Sequence, residues 1–476
     1  RLPIDGLIEA GIGAIDQSSV TGESVPVDKE PGDEVFGGTV NQNAVLTVKV
    51  TKTAEQSTIA KMIQLVTEAQ EKRSPSEHFS EWFGQRYTFV VLFGSIAMLG
   101  IFFLFGLPAD EAFYKAATLL VVASPCAIVI SVPAAVLSAI ASAARGGVLF
   151  KGGGALESFG SIKAIAFDKT GTLTKGKMTV TDIVPMSSLN ESELAALAAS
   201  LENHSDHPLA QSIVKYASEH GYEVAQSTHT EAVPGKGIIA TVNGMKVWAG
   251  NRALVSHVRG EVSSELETKL ANLETAGKTT VIIGNETGPL GIIGIADTVR
   301  ESALPAIMAL KKQGVKNFSI LTGDTKLVAN AVGTQLKLSS DSIHGALLPG
   351  DKVKIIEELS KESSMAFVGD GVNDAAALAT ARVGVAMGVA GSDVAIEAAD
   401  VALLSDDLEK LAKTHRLAQQ ANAIIKQNLY FATGIMIIMV LVTIFGYLPL
   451  PLGVIGHEGG TLLVVANGLR LLFKKV

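Results

Sequence analysis

Three aspartates each close an apolar run with the length and composition of a buried strand. Asp168 ends the run in IKAIAFDKTGTLTKGK (162–177), Asp324 sits in FSILTGDT (318–325) and Asp370 in SMAFVGDGVNDAAAL (364–378). Carboxylates brought to one spot repel each other unless a cation intervenes, and Mg2+, bound by carboxylates and substrate phosphate oxygens, is the usual answer. A carboxylate is also a competent nucleophile toward phosphorus, giving an aspartyl phosphate. Lys352, in LPGDKVKII, offers a point charge suited to a transferred phosphoryl group. A single Gly-Asp at a strand end is more often just a turn. DKTGTLT followed in order by both later motifs is what points to phosphoryl chemistry.

A second constellation lies in VVASPCAIVISVP (121–133). It holds Cys126, the only cysteine, directly after Pro125 and inside an uncharged run. Proline removes a helix hydrogen bond and frees a carbonyl, and in a membrane such a break is tolerated only where protein or a water-filled cavity satisfies it. A lone cysteine is more often a small apolar filler. Glu458 changes that balance, because an acid in a membrane helix costs roughly 2.5–3.5 kcal/mol and is functional by default. His457 beside it is a common metal ligand. Thiolate, imidazole, carboxylate and the Ser124 or Thr461 hydroxyl make a mixed set suited to Zn2+ or Co2+ rather than Cu+.

The elements that must hold these groups follow from composition. Of 476 residues 47% are hydrophobic, and the mean hydropathy is +0.35. The length suggests two to four domains. Net charge is −8 with no basic stripe, which argues against nucleic-acid binding. The opening RLPIDGLIEAG has no signal-peptide pattern. Residues 87–109, 116–144 and 427–456 carry no charge, and a further uncharged run follows Glu458 to Leu469. These predict four membrane helices in two hairpins, the second turning at GYLPLPLG (446–453). Lys72, Arg73, Arg86, Arg145, Lys151, Lys410, Lys413, Arg416, Lys426, Lys474 and Lys475 flank the spans. The positive-inside rule therefore puts the large segments in the cytoplasm.

Between the hairpins, strands alternate with helical stretches at 300–312, 326–336 and 351–361, predicting a doubly wound parallel sheet with ligands at the strands' carboxyl ends. Residues 178–296 differ in texture. GIIATVNGMKVWAG (237–250) alternates around Asn243-Gly244, a hairpin signal, and amphipathic helices fit 191–201, 208–219 and 263–276. This predicts an inserted antiparallel sheet with helices.

DKTGTLT, TGDT and GDGVNDAAAL resemble the phosphorylation-domain signatures of P-type ATPases, cation pumps built on the haloacid-dehalogenase fold, and TGES (21–24) resembles their actuator motif. The resemblance covers essentially the whole chain. It implies Asp168 as the phosphorylated nucleophile and Asp370 with the Thr170 carbonyl as Mg2+ ligands. Thr322, Asp324, Lys352, Asn373 and Asp374 complete the phosphate site, and Glu23 positions the hydrolytic water. Glu202, His207, Gly235, Gly237, Gly250 and Asn251 match the ATP-binding residues of the heavy-metal pumps. Without the resemblance, His207-Pro208 reads as a helix start, G-x-G is a weak signal and Glu23 is a loop acid.

SPC on the second span and HEGGT (457–461) on the fourth are similar to the motifs of the cobalt/zinc-type branch, which implies transport ligands among Ser124, Cys126, His457, Glu458 and Thr461. The expected division is a partial actuator domain (1–72), a first hairpin (73–145), the phosphorylation domain (146–177 and 297–408), the nucleotide domain (178–296) and a second hairpin (409–476). The implied protein is a multi-pass pump of a bacterial-type plasma membrane that exports a divalent metal using ATP and Mg2+. The family pattern also implies at least two further membrane helices upstream. A potassium-type pump subunit, or a non-pumping metal-binding relative, is the alternative reading.

Overall fold

The computed structural model describes residues 2–17, 27–42, 45–53, 57, 74–203, 205, 207–233, 236–259, 263–370, 374–388 and 397–474. Glu23 and its TGES motif, Gly235 and Asn373 lie outside them. The chain divides into two compact units. One comprises Arg1–Ile165, Ala306–Asn317 and Val353–Val476, the other Ala166–Pro305 and Phe318–Lys352.

The first unit begins with two small antiparallel sheets. Gly6–Ala10 lies between Glu34–Val35 and Thr47–Val50, and Gly13–Asp16 between Val27–Lys29 and Val40–Asn41. Ile8, Ile15 and Val35 form their shared core.

Helix Pro75–Leu104 follows, started by a capping box in which Ser74 and Glu77 satisfy each other's backbone N–H groups. The next span is split. Helix Ala109–Val122 stops, Ala123 to Pro125 leave the helical path, and helix Cys126–Arg145 restarts with Ile128 N–H donating to the Pro125 carbonyl at 3.0 Å. The break falls where Pro125 predicted it.

Helix Leu408–Phe445 runs 38 residues without interruption, and helix Leu450–Leu469 closes the bundle. Among the described residues three helical segments are long and apolar enough to cross a membrane, namely Pro75–Leu104, Ala109–Arg145 and Leu408–Phe445. The fourth expected span is Leu450–Leu469, whose apolar run is interrupted by His457 and Glu458. It nevertheless packs closely. A Cβ on Gly468 would lie 3.2 Å from the Ala135 backbone nitrogen, the close approach that small residues permit between membrane helices. Asn428 Nδ2 donates to the Val464 carbonyl at 2.9 Å and Asn467 Nδ2 to Asn428 Oδ1 at 2.8 Å, tying the last two helices.

The N-terminal end of Leu408–Phe445 is clamped. His415, fully buried, pairs through Nδ1 with Gln313 Oε1 at 2.7 Å and sets its ring edge-on to Phe159. Gln313 Nε2 donates to the Ala412 carbonyl at 3.1 Å, and Gln419 Nε2 to the Gln313 carbonyl at 2.8 Å. In the same unit Met365–Gly369, Val383–Ala386 and Val401–Leu403 pair in parallel, with Val148–Phe150 antiparallel at the edge.

The second unit contains the parallel pair Asn317–Leu321 and Ile343–His344, with Ala164–Asp168 next in order. It also contains a six-stranded antiparallel sheet. Its strands, in spatial order, are Ser227–Val233, Gly237–Val242, Met245–Gly250, Thr279–Asn285, Pro289–Val299 and Thr174–Pro185. The predicted hairpin turns at Asn243 (φ 50°) and Gly244 (φ 78°), the positive-φ pair of a tight two-residue turn. Helices Glu191–Glu202 and Pro208–Glu219 contribute Leu194, Ala198 and Ile213 to the core on one face. Helices Arg252–Arg259 and Ser264–Thr275 cover Trp248 on the other. Gly284 is obligatory here, since a Cβ would sit 2.1 Å from the Trp248 ring. The sheet begins at Thr174 and ends at Val299, slightly beyond the expected 178–296.

Candidate functional site

Strand Ala164–Asp168 is buried throughout, so its last residue emerges at a fixed position. Asp168 is 5% exposed and accepts a hydrogen bond at 2.6 Å from Lys352 Nζ, itself 8% exposed. Two buried opposite charges in contact balance each other, whereas either alone would be costly.

The loop after Asp168 is shaped by Gly171 (φ 75°) and held by Arg300, which donates from Nε to the Thr172 carbonyl (3.0 Å) and from a terminal nitrogen to the Gly171 carbonyl (2.8 Å). Thr170 leaves the helical region (φ −77°, ψ 127°), so its carbonyl is turned out of the helical ladder. Buried Lys169 reaches Asp324 at 2.7 Å and Asp297 at 4.0 Å. Thr322 Oγ1 donates to Asp324 Oδ2 at 2.9 Å, and Thr174 Oγ1 to Asp297 Oδ2 at 2.5 Å. Thr172 Oγ1 and Asp297 Oδ1 are buried atoms with no hydrogen-bond partner among the described residues.

The second unit thus brings Asp168, Lys352, Thr322 and Asp324 into linked contacts. Sequence reasoning missed Lys169, Asp297 and Arg300. Lys169 lay inside DKTGTLT, and Asp297 and Arg300 sit where the last sheet strand pairs back toward Thr174. In the first unit Asp370 directly follows strand Met365–Gly369. Asp374 is 3% exposed and packs on Gly369, where a Cβ would come 3.1 Å from its Oδ2. The expected Mg2+ donors, two carboxylates and one carbonyl, are all hard oxygens and fit that ion.

The residues expected to hold ATP have structural duties as well. Half-buried Glu202 ends helix Glu191–Glu202, and burial pushes its carboxyl up to about 7. His207 caps the next helix, with Leu209 N–H donating to its Nδ1 at 3.3 Å. Asn251 Oδ1 caps helix Arg252–Arg259 by accepting from Ala253 N–H at 3.0 Å. Gly237 and Gly250 face each other across neighbouring strands. A Cβ on Gly237 would lie 2.1 Å from the Ala249 carbonyl oxygen, and one on Gly250 2.3 Å from the Lys236 carbonyl oxygen. Strand contact thus accounts for both glycines in addition to any approach by a nucleotide.

At the split span, Ser124 Oγ is hydrogen-bonded to Cys126 Sγ at 3.1 Å. Ser124 also lines a cavity of about 20 Å³ together with His457, Met436 and Met439. Cys126 opens instead on a groove of about 390 Å³ with Glu81, Gln85 and Thr88. Thr461 Oγ1 donates back to the His457 carbonyl at 3.1 Å. Glu458 is exposed and does not line the cavity. Consecutive helical residues point about 100° apart, so the turn that aims His457 inward aims Glu458 out. Of the five expected ligands Ser124 and His457 line the small cavity, and among the described residues no three His, Cys, Asp or Glu side chains group as metal ligands.

Comparison with known proteins matches residues 162–382 to the haloacid dehalogenase-like hydrolases and residues 1–67 to the P-type ATPase actuator domain. The chain is 43% identical to the cadmium-transporting ATPase of Staphylococcus aureus, over 99% of this chain and 66% of that protein's length. It is 40% identical to the zinc-transporting ATPase of Bacillus subtilis, over 99% of this chain and 74% of that one. It also resembles the crystal structure of a zinc-transporting PIB-type ATPase in its E2.Pi state, at TM-score 0.73 and 40% identity, covering 99% of this chain and 77% of that one.

Proposed function

The chain belongs to the heavy-metal-transporting P-type ATPases, and from that premise we propose that it is the catalytic and transport core of an ATP-driven exporter of a divalent transition metal. The observation that carries the reading is the buried Asp168–Lys352 pair at a strand's carboxyl end. An Asp168 carboxylate oxygen attacks the γ-phosphorus of ATP, the bond to the ADP oxygen breaks and ADP departs. Lys352 offsets the charge on the transferred group, Thr322 and Asn373 offer it hydrogen-bond donors, Asp374 completes the phosphate site, and Lys169 keeps Asp324 in place. Water oriented by Glu23 then attacks the phosphorus, releasing phosphate and regenerating Asp168. Mg2+, held by Asp168, Asp370 and the Thr170 carbonyl, would supply charge neutralisation when bound. ATP would lie against Glu202, His207, Gly235, Gly237, Gly250 and Asn251.

The domain division predicted from the sequence, with its cytoplasmic soluble parts, is kept in this reading. The transported ion would engage Cys126, Ser124 and His457, with Glu458 and Thr461 beside them. The relatives' printed names, cadmium- and zinc-transporting, favour Zn2+ or Cd2+ for this chain, and the donor set also suits Co2+.

The test is acid-stable phosphoenzyme formation from γ-labelled ATP by this chain and by Asp168→Asn, with Zn2+, Cd2+ and Co2+ in turn. Label that depends on a metal and vanishes in Asp168→Asn supports the reading. Label that survives in Asp168→Asn overturns it.

A further inference from the structure

The long helix Leu408–Phe445 sends Met436 and Met439, three residues apart and so on one face, into the small cavity at the helix break. They are 8% and 9% exposed, and His457 on the facing helix is 9% exposed. Met439 lies directly on the backbone before His457: a Cβ on Gly456 would meet its sulfur at 3.2 Å. The cavity, about 20 Å³, has room for one water-sized species. Among the described residues its only polar side-chain groups besides the two sulfurs are the His457 imidazole and the Ser124 hydroxyl, and no described Asp, Glu, Lys or Arg lines it.

A hard cation such as Mg2+ or Ca2+ finds too few oxygens there. Met436 also packs with Ile128, Ala432 and Val464, but an apolar filler role alone gives no reason for the His457 imidazole and the Ser124 hydroxyl to line the same cavity. Thioethers with imidazole are donors for soft metals. We propose that this cavity is a soft-metal site in which the Met436 and Met439 sulfurs and the His457 imidazole bind the cation, making the two methionines determinants of metal choice that favour Cd2+ over Co2+. Ser124, bonded to Cys126 on the groove side and lining the cavity on the other, stands between thiol and thioethers. The inference rests on the transport reading above and adds its selectivity.

The test uses the full chain in detergent with CdCl2 and CoCl2, comparing the native protein, Met436→Leu/Met439→Leu and Cys126→Ser. Leucine conserves volume and removes only the sulfur. Equilibrium binding and cadmium-edge X-ray absorption are the readouts, and neither requires turnover. The double variant is expected to lose about tenfold in Cd2+ affinity, about 1.4 kcal/mol, with fewer sulfur neighbours around cadmium and Co2+ affinity within about threefold of native. An unchanged sulfur count and Cd2+/Co2+ affinity ratio, with Cys126→Ser still abolishing binding, overturns the inference and leaves the transport reading standing. Cadmium binding indifferent to all three substitutions overturns both. Met439→Leu alone guards against misfolding, since it should move the ratio in the same direction by a smaller factor.

Discussion

Glu202→Gln should remove most of the pH dependence of local stability in helix Glu191–Glu202 and its neighbours. The carboxyl of Glu202 is raised by burial from 4.5 to about 7 in the folded chain. The folded state therefore holds this proton more tightly than the unfolded one. The associated stability is fully present below pH 4.5 and is lost as pH rises through 7. A difference of about 2.5 units at 1.36 kcal/mol each gives about 3 kcal/mol, most of it gone by pH 7. Glutamine keeps the shape and carries no proton to lose. Hydrogen exchange followed by mass spectrometry reads the opening free energy of peptides across 191–202, after correction for intrinsic exchange rates. Native protein should weaken by about 2–3 kcal/mol between pH 4.5 and 7.5, and Glu202→Gln should stay nearly flat. Parallel curves for the two proteins would refute the assignment of that proton to Glu202.

Other substitutions test the remaining contacts. Lys352→Ala strands a buried carboxylate and should cost about 3–5 kcal/mol in denaturant unfolding, part of it recovered by adding Asp168→Asn. Gly284→Ala drives a methyl into Trp248 and should destabilise by about 1–3 kcal/mol, visible as a changed Trp emission and a lower thermal midpoint. Ser74→Ala removes one half of the capping box before the first membrane helix and should cost about 1 kcal/mol, with Ser74→Asp restoring it.

The parts of this fold legible in the sequence were those set by local chemistry. The Asn243-Gly244 turn needed only two residues that tolerate positive φ, and the break at Pro125 needed only a missing N–H. Asp168, Asp324 and Asp370 could be set at strand ends because apolar runs stop there. What stayed hidden depends on helix phase and on partners distant in sequence. Lys169 meets Asp297 only because strand Pro289–Val299 returns to pair with Thr174–Pro185. Whether His457 or Glu458 faces inward is fixed by which side of Leu450–Leu469 meets its neighbours, and no motif states that. Met436 and Met439 belong to no motif, and only the phase of a helix shared between a cavity and a clamp brings them to the cavity.

That shared helix is a lever. From His415, held at Gln313, to Met436 at the cavity is 21 residues, or about 32 Å at 1.5 Å per residue. No proline interrupts Leu408–Phe445, so bending does not absorb motion along it. A tilt of about 5° at the clamp would carry the methionine end sideways by about 3 Å over that arm, more than the width that a cavity of about 20 Å³ leaves to spare. Gln313 is four residues upstream of the strand that leads into Thr322 and Asp324. A small angular change at the His415–Gln313 clamp is thus amplified, by arm length alone, into a larger displacement at the Met436 end of the same helix.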